Sequence, residues 1–220
     1  MARDLVTKYN QIAGGFAEHS YANLHFYMHR RFTIATSWGI SLQPHDSVLE
    51  LGCGDGYLAQ LFVRHGLQYC GVDISSKMVT MAERRIGESG LKAQFMVADV
   101  GQMTFSEPFD AVVSYMRDFF TYIHSPLIVL KRLRQYVRKK IILDLDPRRD
   151  IPPGVAIGML KDAGFQNIAW RPFFVPLEKK LPVCVLKTLI VCEGIPVLRG
   201  LPLRWKFQVL VKAEARDAYL

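Results

Sequence analysis

Gly52, Gly54 and Gly56 alternate directly behind the short apolar run Ser47–Leu51, and this juxtaposition constrains the fold more than any other feature of the chain. A compact apolar run of this kind is the pattern of a strand buried on both faces, as in a parallel sheet. Apolar residues at helical spacing resume at Leu58, Leu61 and Phe62, so the glycines turn the chain from strand into helix. Backbone without a Cβ lets a ligand approach closely. The N–H groups that open the following helix favour an anionic group such as a carboxylate or phosphate. A strand, glycine turn and helix that together hold a nucleotide-type ligand are therefore expected.

Spacing narrows the ligand. A dinucleotide fingerprint, G-x-G-x-x-G, would end at position 57, where the chain has Tyr57. That disfavours a dehydrogenase. Instead Glu50 precedes the first glycine by two residues, giving E-x-G-x-G-x-G. A second strand, beginning at Gln68, ends in Asp73, about 20 residues past the turn, where a carboxylate can accept ribose hydroxyls. Ser75 is the expected N-cap of the helix Ser76–Glu88. A third strand, Ala93–Val97, runs into Asp99-Val100.

These segments, Val48 to Val100, resemble the class I S-adenosylmethionine (SAM) dependent methyltransferases of the small-molecule type. The resemblance implies SAM as cofactor, S-adenosylhomocysteine as product and no metal. It implies that Glu50, Gly52, Cys53, Gly54 and Gly56 form the first cofactor motif and that Asp73 holds the ribose. Ile74 and Met78 would pack on the adenine or ribose. Asp99 would accept from the adenine amino group, and the Val100 N–H would meet a ring nitrogen. Tyr115 and Met116, ending a fourth strand from Phe109, would lie near the methionine moiety and substrate. The implied fold is α/β and Rossmann-like: a seven-stranded, mostly parallel sheet with helices on both faces, an N-terminal helical cap and a final antiparallel strand.

The remaining pattern agrees with one domain spanning 1–220, divided into a helical cap (1–40), a SAM-binding core (41–175) and an apolar insertion with a last strand (176–220). The cap reads as two helices, the first interrupted at Gly14-Gly15, the second running from Tyr21 to about Trp38. Tyr9, His19, Tyr21 and His25 could face the site from it. Beyond the fourth strand come a helix from about Ser125 with Pro126 at an early position, and a fifth strand, Lys140–Leu145. Next are a helix Pro153–Ala163 ended by Gly164, a sixth strand Phe165–Phe174 broken by Pro172, and a strand Trp205–Ala213.

Composition excludes several classes. Half the residues are hydrophobic, which argues against disorder. Cys53, Cys70, Cys184 and Cys192 lie far apart, with no C-x-x-C or His/Cys cluster, against zinc and against a disulfide framework. The start, Met1-Ala2-Arg3-Asp4, shows no secretory leader, and the most apolar stretch, Leu181–Leu198, holds Lys187, Glu193 and two prolines. A cytoplasmic protein, with membrane association through that stretch left open, is expected. The net charge is +8. Nucleic acid is nevertheless not the expected partner. The position after the fourth strand lacks the N/D-P-P-Y/F/W of amino-methylating nucleic-acid enzymes, and the basic run Lys131–Lys140 falls away from the expected mouth.

Methyl transfer needs a positioned acceptor and, for hydroxyl or protonated-amine acceptors, a base. Candidates are His124, Tyr115, Asp118 and His25, with Tyr122, Arg117, Asp144 and Asp146 nearby; none carries a firm catalytic label. The expected activity is transfer of a methyl group from SAM to an O, N or C atom of a small molecule, with a lipophilic one left open. The alternatives are an RNA or protein methyltransferase, or a non-catalytic SAM-binding partner subunit. The segment 181–203 is too apolar for an exposed loop and reads as a lid, a homodimer surface or a peripheral membrane contact.

Overall fold

A computed structural model describes residues 2–116, 119–146, 150–195, 197–198 and 208–215. The elements follow in the order α1 (Ala2–Ile12), α2 (Phe16–Ser20), α3 (Leu24–Ser37), β1 (Ser47–Leu51), α4 (Tyr57–Arg64), β2 (Gln68–Asp73), α5 (Ser76–Glu88) and β3 (Gln94–Val97). They continue with β4 (Phe109–Ser114), α6 (Phe119–Tyr122), α7 (Pro126–Arg134), β5 (Val137–Leu145), α8 (Pro153–Asp162), β6 (Phe165–Phe173), α9 (Val183–Cys192) and β7 (Gln208–Ala215). The strands form one seven-stranded sheet in the order β3-β2-β1-β4-β5-β7-β6. β1 to β5 are parallel, and β7 runs antiparallel between β5 and β6.

Strand β1 is central, paired with β2 on one side and β4 on the other. The strand order reverses there, and the crevice beyond the strand C-termini at such a point is where open α/β sheets bind ligands. Successive residues serve opposite faces. Leu49, Leu51, Val112 and Leu143 pack with Leu130 of α7 and Leu160 of α8. Val48, Val113 and Ile142 pack with Phe32 of α3 and Phe62 of α4 on the other face.

Local signals operate as expected at several ends. The Ser75 hydroxyl accepts from the Met78 N–H at 3.1 Å, capping α5, and donates to Asn10 Oδ1 at 2.6 Å, which ties α1 to it. Gly15 takes φ 70 at the break between α1 and α2, and Gly164 takes φ 88 just past α8. Ser125 precedes α7, with Pro126 in its first turn.

Two expectations are corrected. Pro172 does not break β6; it pairs with Val209 on an edge strand, where a missing N–H is tolerated. The irregularity falls instead between Gln166 and Ala169, around Asn167 at φ 49. Strand β5 begins earlier, at Val137, which buries Lys140; its Nζ donates to the Trp38 carbonyl at 3.0 Å. The insertion carries the helix α9, held by Glu193 behind it. That carboxylate accepts from Arg30 Nε at 2.7 Å, from Arg171 Nη2 at 3.3 Å and from the Phe174 N–H at 2.9 Å. The last strand is described from Gln208 to Ala215, and its expected start at Trp205 lies outside the described residues. No helix among the described residues is long and apolar enough to cross a membrane.

Candidate functional site

A cleft of about 970 Å³ opens beyond the C-terminal ends of β1, β2 and β4. Its floor is the glycine turn, with Asp73 from the tip of β2 and Asp99 just after β3. Its roof is the cap, where Tyr9, Ile12 and Phe16 come from α1 and α2 and Tyr21 follows. The segment between α6 and α7 closes one side with Ile123 and His124.

The two glycines of the floor differ in what they leave open. Gly52 sits at φ 71, and a Cβ there would meet Met116 Cγ at 2.2 Å. Gly54 sits at φ 54, and a Cβ there would meet nothing nearer than Phe16 at 3.7 Å, so its bare backbone faces the cleft. Asp73 locks this turn to the second strand. Its Oδ2 accepts from the Gly54 N–H and its Oδ1 from the Ser75 N–H, both at 2.9 Å. Burial pushes the Asp73 carboxyl upward, opposed by those N–H groups and that of Ile74. Asp99 Oδ1 accepts from the Gly101 N–H at 2.8 Å. Ile74 and Met78 line the cleft beside Asp73, Val100 beside Asp99, and Met116 and Tyr115 beside Gly52.

Three residues of the expected cofactor motif do not line this cleft. Gly56, at φ 77, lets α4 pass α5, since a Cβ would stand 2.8 Å from Ala82 Cα. Cys53 turns inward against Gly71, where burial lifts its thiol well above the usual range. Glu50 is buried and accepts from the Tyr69 hydroxyl. Burial pushes its carboxyl up to about 8, against the pull of that hydrogen bond and of Arg31. Glu50 and Cys53 instead line a hollow of about 40 Å³ behind the glycine turn, shared with Arg31.

Arg31 is the residue that sequence reasoning missed. Its Nη2 donates to Asp144 Oδ2 and, at 2.9 Å, to the Tyr27 hydroxyl. The guanidinium carbon lies 4.4 Å and 4.6 Å from the ring centres of Tyr27 and Tyr115. Burial works against its charge, but Tyr27 and Asp144 outweigh that and hold it firmly protonated. The available signal was the pair Tyr27 and Arg31, four residues apart on α3 and so on one face. Asp144 is accordingly the buried partner of Arg31 and no longer a group at the mouth.

The catalytic candidates separate clearly. His124 is exposed and lines the cleft, as does Tyr122. Tyr115 is corrected as a base: its buried hydroxyl donates to the Arg31 carbonyl at 3.0 Å, and burial raises its ionisation far above neutrality. His25 is corrected as well. It is exposed and stacked on His29, with ring centres 4.1 Å apart, and is not part of the cleft. His19 likewise turns back to the Gly15 carbonyl at 2.7 Å. Asp146 is buried away from the lining, and Arg117 and Asp118 lie outside the described residues. The basic run is not wholly remote, because Arg132 lines the cleft and donates to the Gly101 carbonyl. Among the described residues no group of His, Cys, Asp and Glu is placed to hold a metal ion.

Residues 48–140 match the family model of a methyltransferase domain. Over these residues the chain is similar to the methyltransferase-domain family. The match covers β1 through the start of β5, the part of the methyltransferase fold that forms the floor of the cleft. The ubiquinone biosynthesis O-methyltransferase of Xanthomonas campestris pv. campestris is 24% identical over 119 residues, 53% of this chain and 49% of that protein. A probable ribosomal RNA small subunit methyltransferase A of Methanosarcina acetivorans is 27% identical over 157 residues, 70% of this chain and 54% of that protein. The chain thus spans about half the length of these relatives. Among solved structures, the SAM-bound magnesium protoporphyrin IX methyltransferase of Synechocystis PCC 6803 superposes with a TM-score of 0.58 at 20% identity. The match covers 79% of this chain and 71% of that one, and it shows a shared fold.

Proposed function

We propose that this chain binds SAM in the cleft and transfers its methyl group to an O, N or C atom of a small, lipophilic molecule. One observation carries the reading. The Gly54 backbone, Asp73 and Asp99 open from adjacent strand ends into a single cleft whose remaining walls are largely apolar. The residues fit the cofactor. Asp73 retains acceptor capacity for a ribose hydroxyl beyond the backbone N–H groups it faces. Asp99 has an oxygen beyond the one that takes the Gly101 N–H for the adenine amino group, with Val100 beside it. Met78 and Ile74 offer apolar surface to the ring and ribose.

Bound there, SAM supplies an electrophilic methyl on a charged sulfur, so the protein need not furnish a covalent nucleophile. Its part is to place an acceptor and keep water out. Phe16, Tyr21 and Leu177 form the apolar wall that an acceptor would lie against. His124 is the candidate base for a hydroxyl or protonated-amine acceptor. We further propose that the cap (1–40), core (41–175) and remainder (176–220) act as one domain, since the first and last of these both contribute to the cleft through Phe16 and Leu177.

Transfer of labelled methyl from SAM to a panel of quinols, phenols and fatty acyl compounds tests the reading. Turnover that falls in His124→Gln through kcat, with KM little changed, supports it; turnover on structured RNA alone rejects it. The RNA reading is favoured by the ribosomal RNA relative and by Lys8 and Arg132 in the cleft lining. It requires RNA binding that weakens steeply with salt.

A further inference from the structure

Among the described residues, five of the eleven exposed large hydrophobic side chains, Val183, Val185, Val191, Ile195 and Val197, fall on α9 and the turn after it. The inner side of α9 is anchored by Leu186, which is buried in the core, and its C-terminal end by Glu193. The outward apolar face is therefore held in place rather than left over from poor packing. Charge on this segment is one-sided. Lys179, Lys180 and Lys187 are exposed against the single exposed acid Glu178, because Glu193 is buried between Arg30 and Arg171. The mouth of the cleft has the same character, with Ile12 42% and Ile128 60% exposed at its lining beside Lys8. Leu177, also in the lining, starts the stretch that leads to α9, and Asn23 clamps that stretch through the Lys179 carbonyl at 2.7 Å and the Leu181 N–H at 3.2 Å.

We infer that α9 is an interfacial helix that seats the protein on an anionic lipid surface. Ten residues make a helix far too short to span about 30 Å of hydrocarbon, so it lies in the interface plane. Valines enter the acyl boundary while lysines extend to the anionic headgroups. A second copy fits less well. A two-fold contact sets each patch against itself and would bring three lysines per chain together, a residue depleted from protein interfaces. The inference adds a docking surface and does not depend on the identity of the methyl acceptor.

Co-sedimentation of the full chain with phosphatidylcholine vesicles, with and without phosphatidylglycerol, tests it without any turnover. Binding is expected to require phosphatidylglycerol and to weaken with salt. Val183→Asp and Val191→Asp, at exposed positions that leave the core intact, should each lower partitioning about tenfold or more. Lys187→Glu should lower it on the anionic vesicles. Val155→Asp, on α8 across the sheet from α9, should leave it unchanged. Absence of vesicle binding by the folded chain overturns the inference, as does an equal loss in Val155→Asp. A dimer dissolved by Val191→Asp, with no vesicle binding, would assign the face to a second copy and overturn it too.

Discussion

Arg31 of α3 forms a buried ion pair with Asp144 near the end of β5, joining the cap to the sheet beneath the glycine turn. Both side chains are almost wholly removed from water, at 2% and 0% exposure. A buried charge left without its partner is expensive, whereas an apolar pair of similar volume can be neutral. Arg31→Ala should therefore cost about 3 to 5 kcal/mol in urea unfolding, and Arg31→Met with Asp144→Leu should recover much of it. Arg31→Lys should recover less than its charge suggests, because lysine cannot match the planar contacts with Tyr27 and Tyr115.

The glycines of one turn should respond differently to a methyl group. Gly56→Ala forces both a left-handed φ and a 2.8 Å contact with the Ala82 backbone, and should cost about 3 kcal/mol or more of stability. Gly54→Ala makes only an ordinary contact with Phe16 at 3.7 Å and should cost only about 1 to 2 kcal/mol, yet its methyl would project into the cleft and weaken SAM binding. Thermal melts and SAM titrations of the two variants separate the roles.

Glu50 makes stability depend on pH. Burial holds its carboxyl protonated up to about 8, while in the unfolded chain it ionises near the ordinary glutamate value of about 4.3. Between those values the native state binds the extra proton, so this contribution is full at low pH and is lost as pH rises toward 8. Glu50→Gln can still accept from Tyr69 but carries no such term. Its melting temperature relative to the parent should be higher near pH 8 than near pH 5. A difference independent of pH would refute the assignment.

The core was legible because fully buried parallel strands leave short apolar runs, and β1, β2 and β4 each show one ending in a polar or glycine position. The floor of the cleft followed in part from this, since Gly54 and Asp73 stand at the ends of β1 and β2, while Asp99 follows the more exposed strand β3. Spacing located the turn, yet could not say which of its residues faced the cleft. Gly56 serves a helix contact with Ala82, a partner set only by the tertiary fold. Helix α9, rich in β-branched residues of modest helix propensity and preceded by Pro182, gave no periodicity that favours a helix over a strand. Arg31 was hidden in an aromatic-rich helix, and its role depends on Asp144, which is distant in the chain.

Calorimetric titration with SAM and S-adenosylhomocysteine tests the central claim most directly, using the parent chain and Asp73→Asn, each checked for folding by its thermal melt. Micromolar binding of both ligands by the parent, weakened at least about tenfold in the variant, is the predicted result, because an amide is a poorer acceptor for a ribose hydroxyl. A folded parent chain that binds neither ligand, or a variant that binds both as well as the parent, would contradict the assignment of Asp73 and of the cleft it lines.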